Sequence, residues 1–157
     1  VTKAEIYSKY LTILSDLIKK SYNDRGLKAS GNFERSLEQF QKGKVIGIKA
    51  EKWSSGMMQG GRKAGTYSNI GALKEWIKTK EGLPQVFKDN VDRFAFIIAR
   101  KHFLEGVKVP NSNNDGKVFS EPIEYFVKNH LPLMWGELGN FYITEMSKEF
   151  KSILDLK

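Results

Sequence analysis

The run Val86 to Gly106, VFKDNVDRFAFIIARKHFLEG, limits the possible folds of this chain more than any other stretch. Phe87, Val91, Phe94, Ala95, Ile98 and Phe103 or Leu104 recur at helical spacing, and Ile97 and Ala99 widen the stripe over most of the middle turns. A helix this apolar needs burial around most of its circumference, so the spacing predicts a buried central helix. Arg100, Lys101 and His102 fall near its C-terminal end, where the helix dipole favours cations, and Gly106 is placed to end it. Ala95 and Ala99 leave room for a close neighbour, either the segment around Trp76 or a hairpin preceding it.

What can surround that helix is bounded by size. A chain of 157 residues, 40% hydrophobic, suits one globular domain over residues 1–157 with a modest core. It has no run of eighteen apolar residues, and VTKAEIYSKY lacks the apolar stretch of a signal peptide. The expectation is a soluble, unprocessed chain with no membrane partner. Absence of cysteine excludes disulfides and thiolate metal sites.

Local chemistry predicts the flanking elements. Thr2 and Glu5 have capping-box spacing, and Ile6, Tyr10, Ile13, Leu14, Leu17 and Ile18 continue one stripe to about Tyr22, predicting a helix packed by one face. Asn23, Asp24 and Gly26 end it through a left-handed cap. Ser36 to Gln41 and Val45 to Ala50 flank Lys42-Gly43-Lys44, which reads as a hairpin, although FERSLEQF also suits a short helix. Trp53 to Gly65, with four glycines and little periodicity, reads as a loop or irregular strand.

Ser68 or Asn69 caps a helix to about Lys80 with Ile70, Leu73, Trp76 and Ile77 on one face. Val107 to Pro110 suits a short strand, and Asn111 to Gly116 an exposed loop. Ser120-Glu121-Pro122 looks like a helix start, and Pro132 should interrupt or kink that helix. Leu133 to Leu156 reads as a long amphipathic helix through Met134, Leu138, Phe141 or Tyr142, Met146, Phe150, Ile153 and Leu154, loosened by Gly136 and Gly139. Such a helix closes the core or supplies part of a subunit interface.

Chemical motifs are sparse. His102 and His130 are the only histidines, with no HExxH or EF-hand pattern beside them, so no metal is expected. The glycines of Gly56 to Gly65 match neither GxxxxGK[ST] nor GxGxxG, and no GxSxG occurs. No cofactor, no catalytic residue and no enzymatic activity are expected. The charge is more informative: of a net +8, the segment Lys42 to Lys63 carries six basic residues against Glu51, or +5. Lys42, Lys44, Lys49, Lys52, Arg62 and Lys63 thus form either a solvated hairpin face or one turned to phosphates or an acidic partner.

Four fragments in order also carry a likeness. They are Ser30-Gly31-Asn32-Phe33-Glu34-Arg35-Ser36-Leu37, the Gly60-Gly61-Arg62 loop, Ala72-Leu73-Lys74-Glu75-Trp76-Ile77, and Phe94 to Gly106 with its Ala95-Phe96-Ile97-Ile98-Ala99-Arg100-Lys101 core. Together they resemble the neck and tail-completion proteins of tailed bacteriophages over about residues 30 to 110. In that group a small-Gly-x-hydrophobic-x-Arg-Ser segment opens the sheet, a Gly-Arg loop and a Trp-Ile helix come next, and an Ala-x-x-x-Ala-Arg-Lys helix ends in Gly. The group's loop usually has an acidic or aromatic residue before Gly-Arg, where this chain has Gln59.

The resemblance implies an α+β subunit: a small antiparallel, hairpin-based sheet packed against the buried central helix, with N- and C-terminal amphipathic helices. It implies a structural virion protein assembled in the bacterial host cytoplasm, a homo-oligomeric ring of the neck or tail-completion/terminator region between capsid portal and tail. Portal, neck or tail proteins and non-specific DNA in the channel would be its partners. The candidate interface residues are Leu37, Gln39, Val45, Ile46, Ile48, Trp53, Met57, Met58 and Arg62. A small basic nucleic-acid-binding module using the six basic residues is the alternative.

Overall fold

The computed structural model describes residues 1–58 and 60–155; Gln59 of the glycine loop and Leu156, the predicted end of the last helix, lie outside the described residues. The chain is α+β, with seven α-helices and one antiparallel hairpin among those residues. Helix α1, Lys3–Asp24, begins at the predicted capping box: the Glu5 amide donates to Thr2 Oγ1 at 3.2 Å, and the Thr2 amide to the Glu5 carboxylate at 2.6 Å. Its apolar stripe packs by one face, as the spacing predicts. Ile6, Tyr10, Leu11, Ile18 and Tyr22 are all buried, with Ser15 and Ser21 between them.

The role of central helix belongs to α1. Helices α6, Ser120–Asn129, and α7, Leu131–Leu154, pack on its first half, where Ile6 and Tyr10 meet Phe126, Met134 and Leu138. On its second half, Ile18 and Tyr22 join Phe33 and Val118, with Leu37, Ile48 and Met57 closing over them. Phe33 comes from the short helix α2, Asn32–Ser36, so FERSLEQF is helix first and strand afterwards. Arg25, just past α1, donates to Asp115 at 2.8 and 3.1 Å and to Glu121, tying the end of α1 to the start of α6. Pro132 lies in the first turn of α7, where its missing N–H has no helical partner to lose; it separates two helices rather than kinking one.

The Val86–Gly106 prediction is corrected on two points. The run breaks at Asn90, which leaves helical geometry at φ −129° and ψ 47°, giving α4, Gln85–Asp89, and α5, Val91–Glu105. Helix α5 buries only Ala95 and Ala99, against Ile77 of α3, Ile70–Thr79; Phe96 and Ile97 remain 53% and 47% exposed. Apolar spacing records which side chains would tolerate burial, but burial needs a neighbour, and α3 covers one side of α5 only. Lys74 of α3 reinforces that contact through Asp92 at 2.7 Å.

The sheet therefore packs against α1 and not against the Val91–Glu105 helix. Strands β1, Glu38–Lys42, and β2, Val45–Lys49, pair Glu38 with Lys49, Phe40 with Gly47 and Lys42 with Val45. Gly43 alone of the two turn residues has positive φ, +60°, the pattern of a type II′ hairpin. Val107 to Pro110 does not extend this sheet. Val107 makes a single bridge to Arg62 instead, through two backbone bonds of 2.8 Å.

Candidate functional site

Strand alternation sorts the hairpin into two faces. On the inner face Gln39 donates to Thr12 Oγ1 at 2.8 Å and accepts from Ser8, docking β1 on α1. Ile48 beside it seals the lower core, together with Leu37 and Met57, while Ile46 is half-buried on the same face. Five of the predicted interface residues thus hold the hairpin to its own subunit. The outer face carries Glu38, Phe40, Lys42, Val45, Gly47 and Lys49. Phe40 lies across the strand over Gly47, where an added Cβ would come within 2.9 Å of the ring, so glycine there makes a seat for the aromatic.

Val45 is 60% exposed, and Phe40, Trp53 and Met58 also present apolar surface. Trp53 is the second residue of the 3-10 turn Lys52–Met57 and meets Phe33 edge-on with centroids 6.3 Å apart, so one side of the indole is anchored and the other is wet. Both outer edges of the two-stranded sheet lack a strand partner among the described residues. Phe40 was not among the predicted site residues. Its alternation with Lys42 and its register against Gly47 were the available signals.

Of the six basic residues, five remain exposed: Lys42 and Lys49 on the outer hairpin face, Lys44 in the turn, Lys52 opening the 3-10 turn, and Lys63 in the glycine loop. None of the five forms an ion pair among the described residues. Arg62 stands apart. It is half-buried, and its Nη2 donates to Ser68 Oγ at 2.6 Å, while Ser68 Oγ lies 2.7 Å from His102 Nδ1. Burial first, then the Arg62 and Lys101 charges, hold the His102 imidazolium pKa below its ordinary value and so favour the neutral ring, whose Nε2-protonated tautomer accepts the Ser68 proton at Nδ1.

This clamp fastens the glycine loop to the end of α5. Tyr67 stacks on Phe103 with centroids 4.4 Å apart, and the Gly65 amide donates to the Phe103 carbonyl at 2.8 Å. Gly61 and Gly106 allow the crossing itself. At φ +59° and +74°, an added Cβ would overlap the Val107 carbonyl oxygen at the first and the Arg62 carbonyl oxygen at the second. Ser68 and His102 are 34 residues apart, and no local pattern in the sequence pairs them.

Elsewhere, a shallow open groove of about 460 Å³ runs between α1 and α7. Three of its polar side chains already pair with one another: Lys9 reaches Glu137 at 2.5 Å and the Tyr10 hydroxyl donates to the same carboxylate at 2.9 Å. Among the described residues no group of three or more His, Asp or Glu side chains converges to hold a metal ion, and no helix is long and apolar enough to cross a membrane. No family model, curated protein or solved structure matches the chain.

Proposed function

We propose that this chain is a structural virion protein of a tailed bacteriophage, a ring-forming subunit of the neck or of the tail-completion or terminator region between portal and tail. The observation that carries the reading is the hairpin, whose outer face exposes Phe40 and Val45 and whose two edges have no strand partner among the described residues. A two-stranded sheet with open edges offers main-chain donors and acceptors to a neighbour's strand, and Phe40 and Val45 supply apolar area beside them. The four fragments that carry the family likeness support it differently. Phe33, the Gly61–Arg62 crossing, Ile77 and the Ala95–Ala99 stripe are the parts that shape the body presenting this surface.

In this reading the subunit acts without catalysis or cofactor. Heterologous contacts repeated around an axis close the ring, and the unpaired lysines face the DNA channel or an acidic neighbour. Imaging of the purified chain beside Val45→Asp and Trp53→Ala tests it. Rings of constant order should form, alone or on an isolated portal, and be lost in Val45→Asp. A monomer that neither closes rings nor binds portal or tail proteins overturns the reading.

The unpaired Lys42, Lys44, Lys49 and Lys52 favour a second reading, a small nucleic-acid-binding module. Neutralising about four phosphates gives a log–log salt slope of roughly −3 to −4 on duplex DNA, without sequence preference. Absence of binding at low salt removes it.

A further inference from the structure

Helix α7 is two helices in one. Its inner stripe, Met134, Leu138 and half-buried Phe141, packs on α1 and α6. A second stripe runs along another side: Gly136, Gly139, Ile143, Met146, Phe150 and Ile153, with spacings of 3, 4, 3, 4 and 3. That is the heptad of a coiled-coil seam. Nothing covers it among the described residues: Ile143 is 64%, Phe150 61% and Ile153 59% exposed, and the space where a Cβ of Gly136 or Gly139 would sit is empty.

We propose that this seam is a twofold dimerisation surface, occupied by α7 of a second copy running antiparallel. Size complementarity fixes the direction. The N-terminal part of the seam is glycine and the C-terminal part is bulky, so an antiparallel pair centred on Met146 sets Gly139 against the partner's Ile153 and Tyr142 against its Phe150. A parallel pair would leave glycine facing glycine. The seam from Gly136 to Ile153 is about 26 Å long at helical rise. Its large residues, with the flanking Trp135, Tyr142 and Leu154, expose on the order of 800 Å², the area each partner contributes to a standard interface.

Charge favours a second copy over another occupant. The chain carries +8, yet along the seam and its flanking positions Glu149 is the one charged residue. Two copies can meet there without the like-charge repulsion that a lysine-rich face imposes, and phosphate or an acidic surface finds no cation on the seam to engage. Antiparallel helices also align their dipoles favourably. Being twofold, the contact cannot be the one repeated around a ring. It stands independently of the hairpin surface, and Val45→Asp should leave it intact.

The test uses the full chain. Sedimentation should show a monomer–dimer equilibrium, and Phe150→Glu, a change at an exposed site, should raise the dissociation constant at least about tenfold with unchanged circular dichroism. Because the chain has no cysteine, Met146→Cys reports geometry cleanly. Oxidation should link Met146→Cys to itself, whereas Ile153→Cys, about 21 Å from its own copy in this arrangement, should stay unlinked until mixed with Gly139→Cys. A strict monomer, a dimer indifferent to Phe150→Glu, or efficient self-linking of Ile153→Cys overturns the proposal.

Discussion

Gly61 and Gly106 sit where the backbone of the Arg62 loop crosses that of Val107, and both combine positive φ with no room for a Cβ. Gly61→Ala should therefore destabilise the fold by about 2 kcal/mol or more, because it meets backbone rather than a side chain that can swing away. Denaturant unfolding measures this; a change within about 0.5 kcal/mol would contradict the crossing. The clamp beside it predicts a pH effect. The pKa of folded His102 lies below its unfolded value near 6.5, so the unfolded chain takes up the proton first as pH falls. Its contribution is complete above about 6.5 and is lost as pH drops through the folded value. His102→Asn, which keeps an acceptor for Ser68 without titrating, should flatten the melting temperature between about pH 7 and 5 relative to wild type. An identical profile in both proteins would show that the clamp's titration contributes nothing.

Among the elements, how much the sequence revealed depended on how far a signal reached along the chain. The Thr2–Glu5 box, the Asn69 cap and the Gly43 turn are each decided within about four residues, and each appears where expected. The partners of each helix are decided by residues far apart. Spacing in Val91–Glu105 exposed a broad apolar surface, but not that α3 would cover only Ala95 and Ala99, nor that α1 would have neighbours along its whole length. The hairpin residues were legible as a group, whereas their division into a docked face and an open one required knowing that Gln39 reaches Thr12 and Ser8. Two substitutions measure the correction to α5. Ala99→Leu should cost about 1–3 kcal/mol by overpacking the contact with α3, while Ile97→Lys should fall within about 0.5 kcal/mol as a surface change. The reverse order would restore α5 as the buried core helix.

Across the whole molecule, the densest net charge and the longest uncharged apolar stripe lie on different elements. The segment Lys42 to Lys63, on the hairpin and glycine loop, supplies +5 of the net +8, and the apolar stripe of α7 from Gly136 to Ile153 has no charged residue. The hairpin docks on α1 through Gln39 at Ser8 and Thr12 and through Ile48 at the Ile18–Tyr22 core, while α7 uses its inner stripe on Ile6 and Tyr10, so the outer hairpin face can be altered while the α7 seam is kept. A hairpin with Phe40 and Val45 exposed beside open strand edges should aggregate less, and order more, once a neighbour covers it. The ring proposed for assembly rests on the hairpin being the element by which its subunits join. Amide hydrogen exchange across Glu38–Lys49, compared between the free chain and the ring or portal-bound assembly, reads that contact at the strands themselves. The outward-pointing amides of both strands should exchange fast when free and become strongly protected on assembly. Assembled particles in which those amides exchange as fast as in the free chain would contradict the hairpin's role.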